Sequence, residues 1–462
     1  MKKVLFVSLM LMAGLWSRAV YSQNYKYPLN IKYKYGFIPK TFTTANFDKW
    51  YKSYKASSLL PECNGGIRTA CENASETKVE SMGWATIIAA YMGDKTTYDG
   101  LMKFYNSKLE GSGGMSWHVT CTGVRQGGTA ADGDLDVAYG AVVASWQWGG
   151  SYTDNAKKLI NNCKKLIANC SGTSVIMGGY GYGGCNETDM SYHTPAFFRC
   201  FAEFTNDQAW SKLADDSYTL LNNGANKNTG LVPDWQSLSG GQASGGRNHS
   251  YGFDACRVPW RVALDYLWNG NEKAKTWCTT ISNWANKIGP ANIKDGYNLD
   301  GSSTGRYHNM SYVGGFAVAA MCNSQEVADA FGAEVARMNF DNYWYHGFLG
   351  NCYMLAMTGN MWNKKMADNN VPEVARRGIE TLKNGGAITI KNISKQEFSI
   401  TGLTIGNTVD LMTLHGQLVK QVSAGTKSDI IMDISSIKSG CYILAVRDTK
   451  NTLCKRQIVS LF

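Results

Sequence analysis

Charge is scarce in this chain. Asp, Glu, Lys and Arg make up only 18% of its 462 residues. That is too little for a disordered or coiled-coil protein, which relies on charge to stay solvated. Proline is rare too, at 8 residues, so few positions would interrupt a helix. Histidine numbers only 6, and none of the 13 cysteines forms a CxxC pair. A structural zinc site therefore lacks an obvious ligand set, and no metal or other cofactor is expected. Long Lys/Arg blocks are missing. The formal net charge is +10, but the basic residues are dispersed, which describes a surface and not a nucleic-acid footprint. Beyond the first residues no run is apolar enough to span a membrane.

What is abundant is glycine, with 49 residues, and aromatics, with 14 Trp and 25 Tyr. Flat side chains in a Gly-rich chain suit the stacking of flat ligands, and they suit core packing equally. The chain opens with Lys2 and Lys3, then VLFVSLMLMAGLW, then small residues around Ala19 and Ser22. A basic start, a short apolar run and small residues predict a signal peptide over 1–22. Export makes the cysteines disulfide candidates. Cys63 with Cys71, and Cys163 with Cys170, are near enough for local bridges. The odd total leaves at least one thiol unpaired within the chain. Cys256 and Cys352 lie in apolar stretches and read as buried thiols.

From about residue 40 to 375 the apolar spacing is mostly helical. Residues 80–92, 134–148, 155–170, 194–204, 254–268, 274–288, 326–338 and 350–360 repeat apolar side chains at three- and four-residue steps. Eleven or twelve such segments are expected, with no strong strand run between them. They come as pairs joined by short turns and separated by long Gly-, Asn- and Asp-rich loops. Six helical hairpins closed into a ring predict an all-α (α/α)6 barrel over 23–379. Its inner helices would be apolar nearly all round, and its long loops would carry function. Near residue 380 the pattern becomes short alternating β runs, which predict a small all-β sandwich over 380–462. Thr404, Val409, Leu411 and Val419 suit its strands, Gly406 and Gly416 its turns, and 383–386 the linker.

Two motifs mislead. Gly179, Gly181 and Gly184 match GxGxxG, but Asn and Asp follow where a helix is required. Asp132, Asp134 and Asp136 resemble the start of a calcium loop. Val137 and Val143 then occupy the positions that need Gly and Glu. What remains is a carboxylate cluster at a helix start. Asp132 and Asp136, four apart, share a face and Asp134 does not. Such residues also serve simply as helix caps. Glu80 stands beside Met82 and Trp84, where desolvation would raise its pKa toward general-acid use. A first-turn Glu favoured by the helix dipole is the plainer reading. Asp254 lies among Tyr251, Phe253 and Trp260, and Arg257 three residues on could hold it ionised as a general base. A structural salt bridge is the alternative. Two carboxylates in aromatic surroundings suit glycoside hydrolysis, and Trp117, Trp146, Tyr192, Tyr343, Trp344 and Tyr345 are then candidate sugar platforms.

These pieces resemble glycoside hydrolase family 8, an inverting family with an (α/α)6 barrel. TAADGDLDVAYGAVVASWQW (129–148) looks like the family's aspartate motif, with Ala131 and Val137 as mild departures. VESMGWATIIAAYMGDK (79–95) resembles the segment around the general acid, although Ser81 stands where Gly is usual. SYHTPAFFR (191–199), GLVPDW (230–235), YGFDACRVPWRVALDYLW (251–268) and YHNMSYVGG (307–315) match in order. The resemblance implies Glu80 as proton donor, Asp254 as general base and Asp132 as the aspartate that binds and distorts the sugar at the cleavage point. It makes Tyr192 and Arg257 candidates to hold the water and orient Asp254; Trp117, Tyr343 and Tyr345, chosen above for their aromatic faces, are the further expected substrate contacts.

The tail resembles the C-terminal sorting domain of type IX secretion, through ITIKN, LHGQLVKQ, DISSIKSGCYILAV and KRQIVSL. A carbohydrate-binding module is the alternative for it. The expectation is thus a secreted or cell-surface monomer that hydrolyses a β-1,4-linked polysaccharide and passes through the type IX secretion machinery. The same frame admits a β-1,4-xylanase or a non-catalytic glycan-binding protein.

Overall fold

A computed structural model describes residues 24–63, 65–370, 388–394, 396–414, 417–425, 429–449 and 453–461. The expected signal peptide, the 383–386 linker, the boundary at 379/380 and the Gly416 turn lie outside them. The chain divides into two compact units, one ending at Ala367 and one beginning at Asp368.

The first unit holds helices α1 (Thr44–Ser58), α2 (Val79–Tyr91), α3 (Lys95–Ser107), α4 (Ala131–Trp148), α5 (Ser151–Lys164), α6 (Pro195–Thr205), α7 (Gln208–Gly224), α8 (Val258–Asn269), α9 (Glu272–Ile288), α10 (Met310–Ala320), α11 (Gln325–Arg337) and α12 (Trp344–Met357), before α13 (Lys364–Asn370). The even-numbered helices from α2 to α12 form a closed inner ring, each packed on the next and α12 back on α2. The odd-numbered helices form the outer layer: α3 backs α2, α5 backs α4, α7 backs α6, α9 backs α8 and α11 backs α10. The N-terminal α1 backs α12 and completes the (α/α)6 barrel.

The sequence explains the layering. Every residue of α10 is buried, and only single residues of α2, α8 and α12 escape burial. These helices carry small and apolar side chains on all faces, because each touches two inner neighbours and an outer helix. Outer helices such as α5, α7 and α9 bury one stripe and expose charge on the other.

Turns from inner to outer helices are short, such as 92–94, 149–150 and 270–271. The return connections are mostly long, such as 108–130, 165–194 and 225–257. All six inner helices therefore present their N-termini, and the long loops, at one mouth. Contrary to expectation, these loops contain strands: β1 (Leu59–Cys63), β2 (Gly66–Thr69), β3 (Glu76–Lys78), β4 (Ser116–Thr120), β5 (Val124–Thr129), β6 (Ile167–Cys170), β7 (Thr173–Gly179), β8 (Tyr182–Gly183), β9 (Thr188–Asp189) and β10 (Trp235–Gln236). They are short and partly exposed, so their alternation is weak in sequence. The end of the expected 155–170 helix is strand β6, because α5 stops at Lys164. The GxGxxG segment is the β7–β8 hairpin.

The local cysteine pairs are not the disulfides. Cys63 bonds Cys121, and Cys170 bonds Cys185. Cys71 and Cys163 are buried free thiols, as are Cys256 and Cys352. Chain proximity misled because antiparallel strands return distant residues to each other.

The second unit is a sandwich. One sheet orders β11 (Thr389–Ser394), β12 (Glu397–Thr401) and β15 (Ile430–Asp433). The other orders β14 (Leu418–Ser423), β13 (Thr408–Thr413), β16 (Gly440–Arg447) and β17 (Leu453–Leu461). Ile390, Phe398 and Met432 from the first sheet share a core with Val409, Leu444 and Val459 from the second. Thr404 lies outside the strands, just before the Gly406 turn.

Candidate active site

The barrel mouth gathers the sequence-selected residues around one guanidinium. Arg257 lies in the short turn Ala255–Arg257 that leads into α8, and its side chain is fully buried. Its Nη1 donates to Asp132 Oδ2 at 2.5 Å and approaches Glu80 Oε1 at 3.4 Å. Its Nη2 donates to Asp254 Oδ1 at 2.7 Å and lies 3.8 Å from Asp189 Oδ2. One cation thus faces four carboxyl groups. A guanidinium's terminal nitrogens are only about 2.3 Å apart. The contacting oxygens of Glu80 and Asp254 are therefore within roughly 8.5 Å, under the ~9.5 Å upper limit for an inverting pair.

Two of the groups come from the start of an inner helix, while Asp254 precedes the turn into α8 and Asp189 ends β9. Glu80 is in the first turn of α2, and Asp132 in that of α4. Asp132 does not cap its helix: the position before α4 is Ala130, which has no side-chain cap. Tyr345 opens α12, donates its hydroxyl hydrogen to the Phe253 carbonyl and packs edge-on against Trp84. Tyr192 precedes α6, with the Arg257 guanidinium 5.6 Å over its ring.

The other aromatic candidates separate. Trp117 sits half-buried on β4, beside His118, which pairs with Lys78 just before α2. Tyr343 is half-exposed at the start of α12, with its ring against Trp344 and His346. Trp344 is buried and stacks on Trp84, so it packs the wall of the mouth. Trp146 lies fourteen residues beyond Asp132 along α4, about 21 Å away at 1.5 Å per residue. It packs with Tyr139 and Trp362 at the far end of the barrel and is no sugar platform.

Burial sets the proton affinities. It pushes Glu80 up to about 8, with the charge of Asp132 adding to the effect and Arg257 opposing it. A carboxylic acid that keeps its proton near neutrality is suited to donate it. Asp254 is also raised, by burial first, although Arg257 and the Trp235 indole N–H pull it back down. Arg257 therefore pairs with Asp254 as expected but does not fully offset its desolvation. One third of the Asp254 side chain remains open to solvent.

Sequence reading missed Arg261, Asp189 and Asp234, and left the partners of Asp134 and Asp136 open. Arg261 holds Asp136 through two bonds of 2.5 and 2.6 Å, one helical turn below the Asp132–Arg257 pair. The matching four-residue spacings, Asp132/Asp136 and Arg257/Arg261, were the available signal. Asp134 turns away and accepts from the Tyr105 hydroxyl and the Met115 amide, while burial raises it to about 7. Asp189 is buried, bonds the Ser191 amide through Oδ1 and is strongly raised by burial. Asp234 accepts three backbone amides from the Asp254 turn. Nothing in the sequence distinguishes Asp189 from a surface polar residue, whereas Asp134 already stood off the Asp132 face and Asp234 lies in the GLVPDW segment.

Residues 35–364 match the model of glycosyl hydrolases family 8. The chain belongs to that family. It is a glycoside hydrolase of an inverting family with the (α/α)6 fold. Residues 386–460 match the secretion system C-terminal sorting domain, which supports type IX export across the outer membrane. The chain is similar to Endoglucanase C of Ruminiclostridium cellulolyticum, 34% identical over 77% of this chain and 80% of that protein. It is similar to Endoglucanase A of Acetivibrio thermocellus, 31% identical over 73% and 74% of the two chains. A solved beta-1,3-1,4-glucanase from Paenibacillus sp. X4 superposes with a TM-score of 0.69 at 26% identity, covering 74% of this chain and all of that one.

Proposed function

We propose that this protein is an endo-acting hydrolase of β-1,4-glucan, either cellulose or mixed-linkage β-glucan, and that it works with inversion. The observation that carries the reading is the sharing of one buried guanidinium by Glu80 and Asp254. Glu80, protonated near neutrality, gives its proton to the glycosidic oxygen as the C1–O bond breaks. Asp254 takes a proton from a water attacking C1 from the opposite face. The new reducing end then has the inverted configuration, and the two protons equilibrate with solvent. We assign Asp132, held by Arg257, to binding and distorting the sugar at the cleavage point; its side chain is almost closed to solvent, so this role requires the bound sugar to displace what covers it. Arg257, fully buried, orients Asp254, Tyr192 beside it flanks the water side of the site, and Trp117, Tyr343 and Tyr345 supply substrate contacts.

The glucan preference rests on the endoglucanases and glucanases to which the chain is similar. A xylan reading has its own support, because a reducing-end xylose-releasing exo-oligoxylanase of Paenibacillus barcinonensis is 27% identical over 42% of this chain. We assign residues 1–22 to a signal peptide, 23–379 to the catalytic domain and 380–462 to the sorting domain. The last directs the enzyme to the type IX machinery and so to the medium or the cell surface.

The test is reducing-sugar release from carboxymethyl cellulose, barley β-glucan, xylan and chitosan, with NMR of the first-formed anomer. Release from the two glucans as the inverted anomer is expected. Activity only on xylan would move the substrate. Tight binding without turnover would favour a glycan-binding protein. Full activity of Glu80→Gln on an ordinary glycan would remove the acid assignment.

A further inference from the structure

Two consecutive residues from the long α7–α8 connection converge on Asp254, and no step above uses them. Trp235 is buried, and its indole Nε1 donates to Asp254 Oδ2 at 3.2 Å. The other oxygen, Oδ1, belongs to Arg257. Both carboxylate oxygens are thus oriented, each by its own donor. Asp234 acts on the backbone of the same residue. Its Oδ1 accepts from the amides of Gly252, Asp254 and Ala255 at 3.0, 3.1 and 2.7 Å. Its Oδ2 accepts from Asn248 Nδ2 at 2.6 Å. Trp235 is itself fixed: it pairs with Asp189 across β9 and β10, and the Arg247 guanidinium lies 4.0 Å over its ring. Arg247 is held in turn by Glu187 at 2.9 Å.

We propose that Asp234 and Trp235 form a positioning clamp for the general base, Asp234 fixing the turn that carries Asp254 and Trp235 fixing the plane of its carboxylate. This inference rests on the assignment of Asp254 as the base. An inverting base must present one lone pair to a water held against the sugar, and a carboxylate free to rotate would lose that alignment. An N–H donor also favours the ionised form that a base needs.

The charged and titratable groups around Asp254 bound the test. Arg257 and Arg247 favour its ionised form. Asp132 opposes it, and Glu80, Asp189 and Asp234 are coupled to it through mutual repulsion. The phenols of Tyr192 and Tyr345 stay neutral. Trp235→Phe removes the donor and leaves those groups in place. We expect kcat to fall about 10-fold, the size of one hydrogen bond to a charged group, with KM little changed. The acid limb of kcat/KM should move to higher pH, because Asp254 loses a group that stabilises its anion. Arg247→Gln, at a partly exposed side chain, should move the limb the same way by less.

A purely structural role for Trp235 would lower the melting temperature and active fraction without moving the acid limb, and that result overturns the clamp. If Trp235→Phe is not recovered folded, Arg247→Lys, which keeps the charge and loses the flat contact with the Trp235 ring, takes its place, and a wild-type kcat and acid limb in that variant overturn the clamp. Hydrolysis of β-cellobiosyl fluoride, whose leaving group needs little protonation, separates acid from base. Glu80→Gln should recover on it, and Trp235→Phe should not. Asp254→Asn is measured alongside. If that variant keeps wild-type activity, the base assignment itself fails. If it is inactive while Trp235→Phe behaves as wild type, only the clamp fails.

Discussion

Asp132 and Arg257 form a salt bridge between the starts of two inner helices, and neither side chain is open to solvent. The same guanidinium also contacts Glu80 and Asp254. Removing it would strand Asp132 in a buried site with no cation. Arg257→Met is therefore expected to cost about 3–5 kcal/mol of stability, the usual consequence of breaking a buried pair. Denaturant unfolding of the variant checks this. Arg257→Lys keeps the charge but not the fork that reaches several carboxyls at once. It should retain more stability than the Met variant and still lose about 100-fold or more in kcat.

Stability should fall as pH rises through neutrality. Glu80 has a folded pKa of about 8, raised by burial, above an unfolded value near 4.3. A raised carboxyl stabilises the fold fully below its unfolded pKa and loses that contribution as pH climbs through the folded one. The loss window is thus about pH 4.3 to 8, with a slope of at most about 1.4 kcal/mol per pH unit from this group. Asp134 and Asp234, each raised to about 7 by burial, add to the same trend. Melting temperatures across this range should decline in the wild type and decline less in Glu80→Gln. The alkaline limb of kcat/KM should fall near the Glu80 value.

The ring of helices was legible because inner and outer segments differ in composition. α10 is small and apolar on every face, while α9 alternates Lys, Asn and Thr with its buried stripe. Glu80, Asp132 and Asp254 stood out by apolar company and by motif, and the fold brings all three to Arg257. The strands in the loops were not legible: β8, β9 and β10 are two residues each, too short for a period of two to show. Asp136 was placed on the Asp132 face, but its pairing with Arg261 was not legible, because the two lie 125 positions apart. Cys63 and Cys121 were missed for the same reason, since their pairing depends on how β1 meets the turn between β4 and β5.

The two disulfides should contribute unequally. Cys63–Cys121 closes a separation of 58 residues and Cys170–Cys185 one of 15. Loop-closure entropy gives roughly 4 kcal/mol for the first and 3 for the second. The first also ties β1 to the strands that carry Trp117. Cys63→Ser with Cys121→Ser should therefore lower the melting temperature more than Cys170→Ser with Cys185→Ser. A reductant should lower the wild type toward the doubly disrupted protein, as calorimetry with and without dithiothreitol would show.

Glu80 and Asp132 meet because α2 and α4 approach along glycines. A Cβ on Gly133 would lie 2.5 Å from the Val79 carbonyl carbon and 2.6 Å from its oxygen. Across the seam, a Cβ on Gly83 would lie 2.6 Å from the Asp136 Cβ. Backbone cannot yield as a flexible side chain can, so Gly133→Ala must push α2 away. The peptide it strikes carries Glu80. Overpacking of this kind costs about 1–3 kcal/mol, and a displacement near 1 Å in a catalytic group lowers rate by up to about 100-fold. The alkaline limb should also shift to lower pH, because Glu80 would gain solvent and leave the field of Asp132. Gly111→Ala is the control, since a Cβ there meets nothing within 4 Å. It should match the wild type in melting temperature and kcat, and equal behaviour of the two variants would show that the glycine seam does not set the position of the acid.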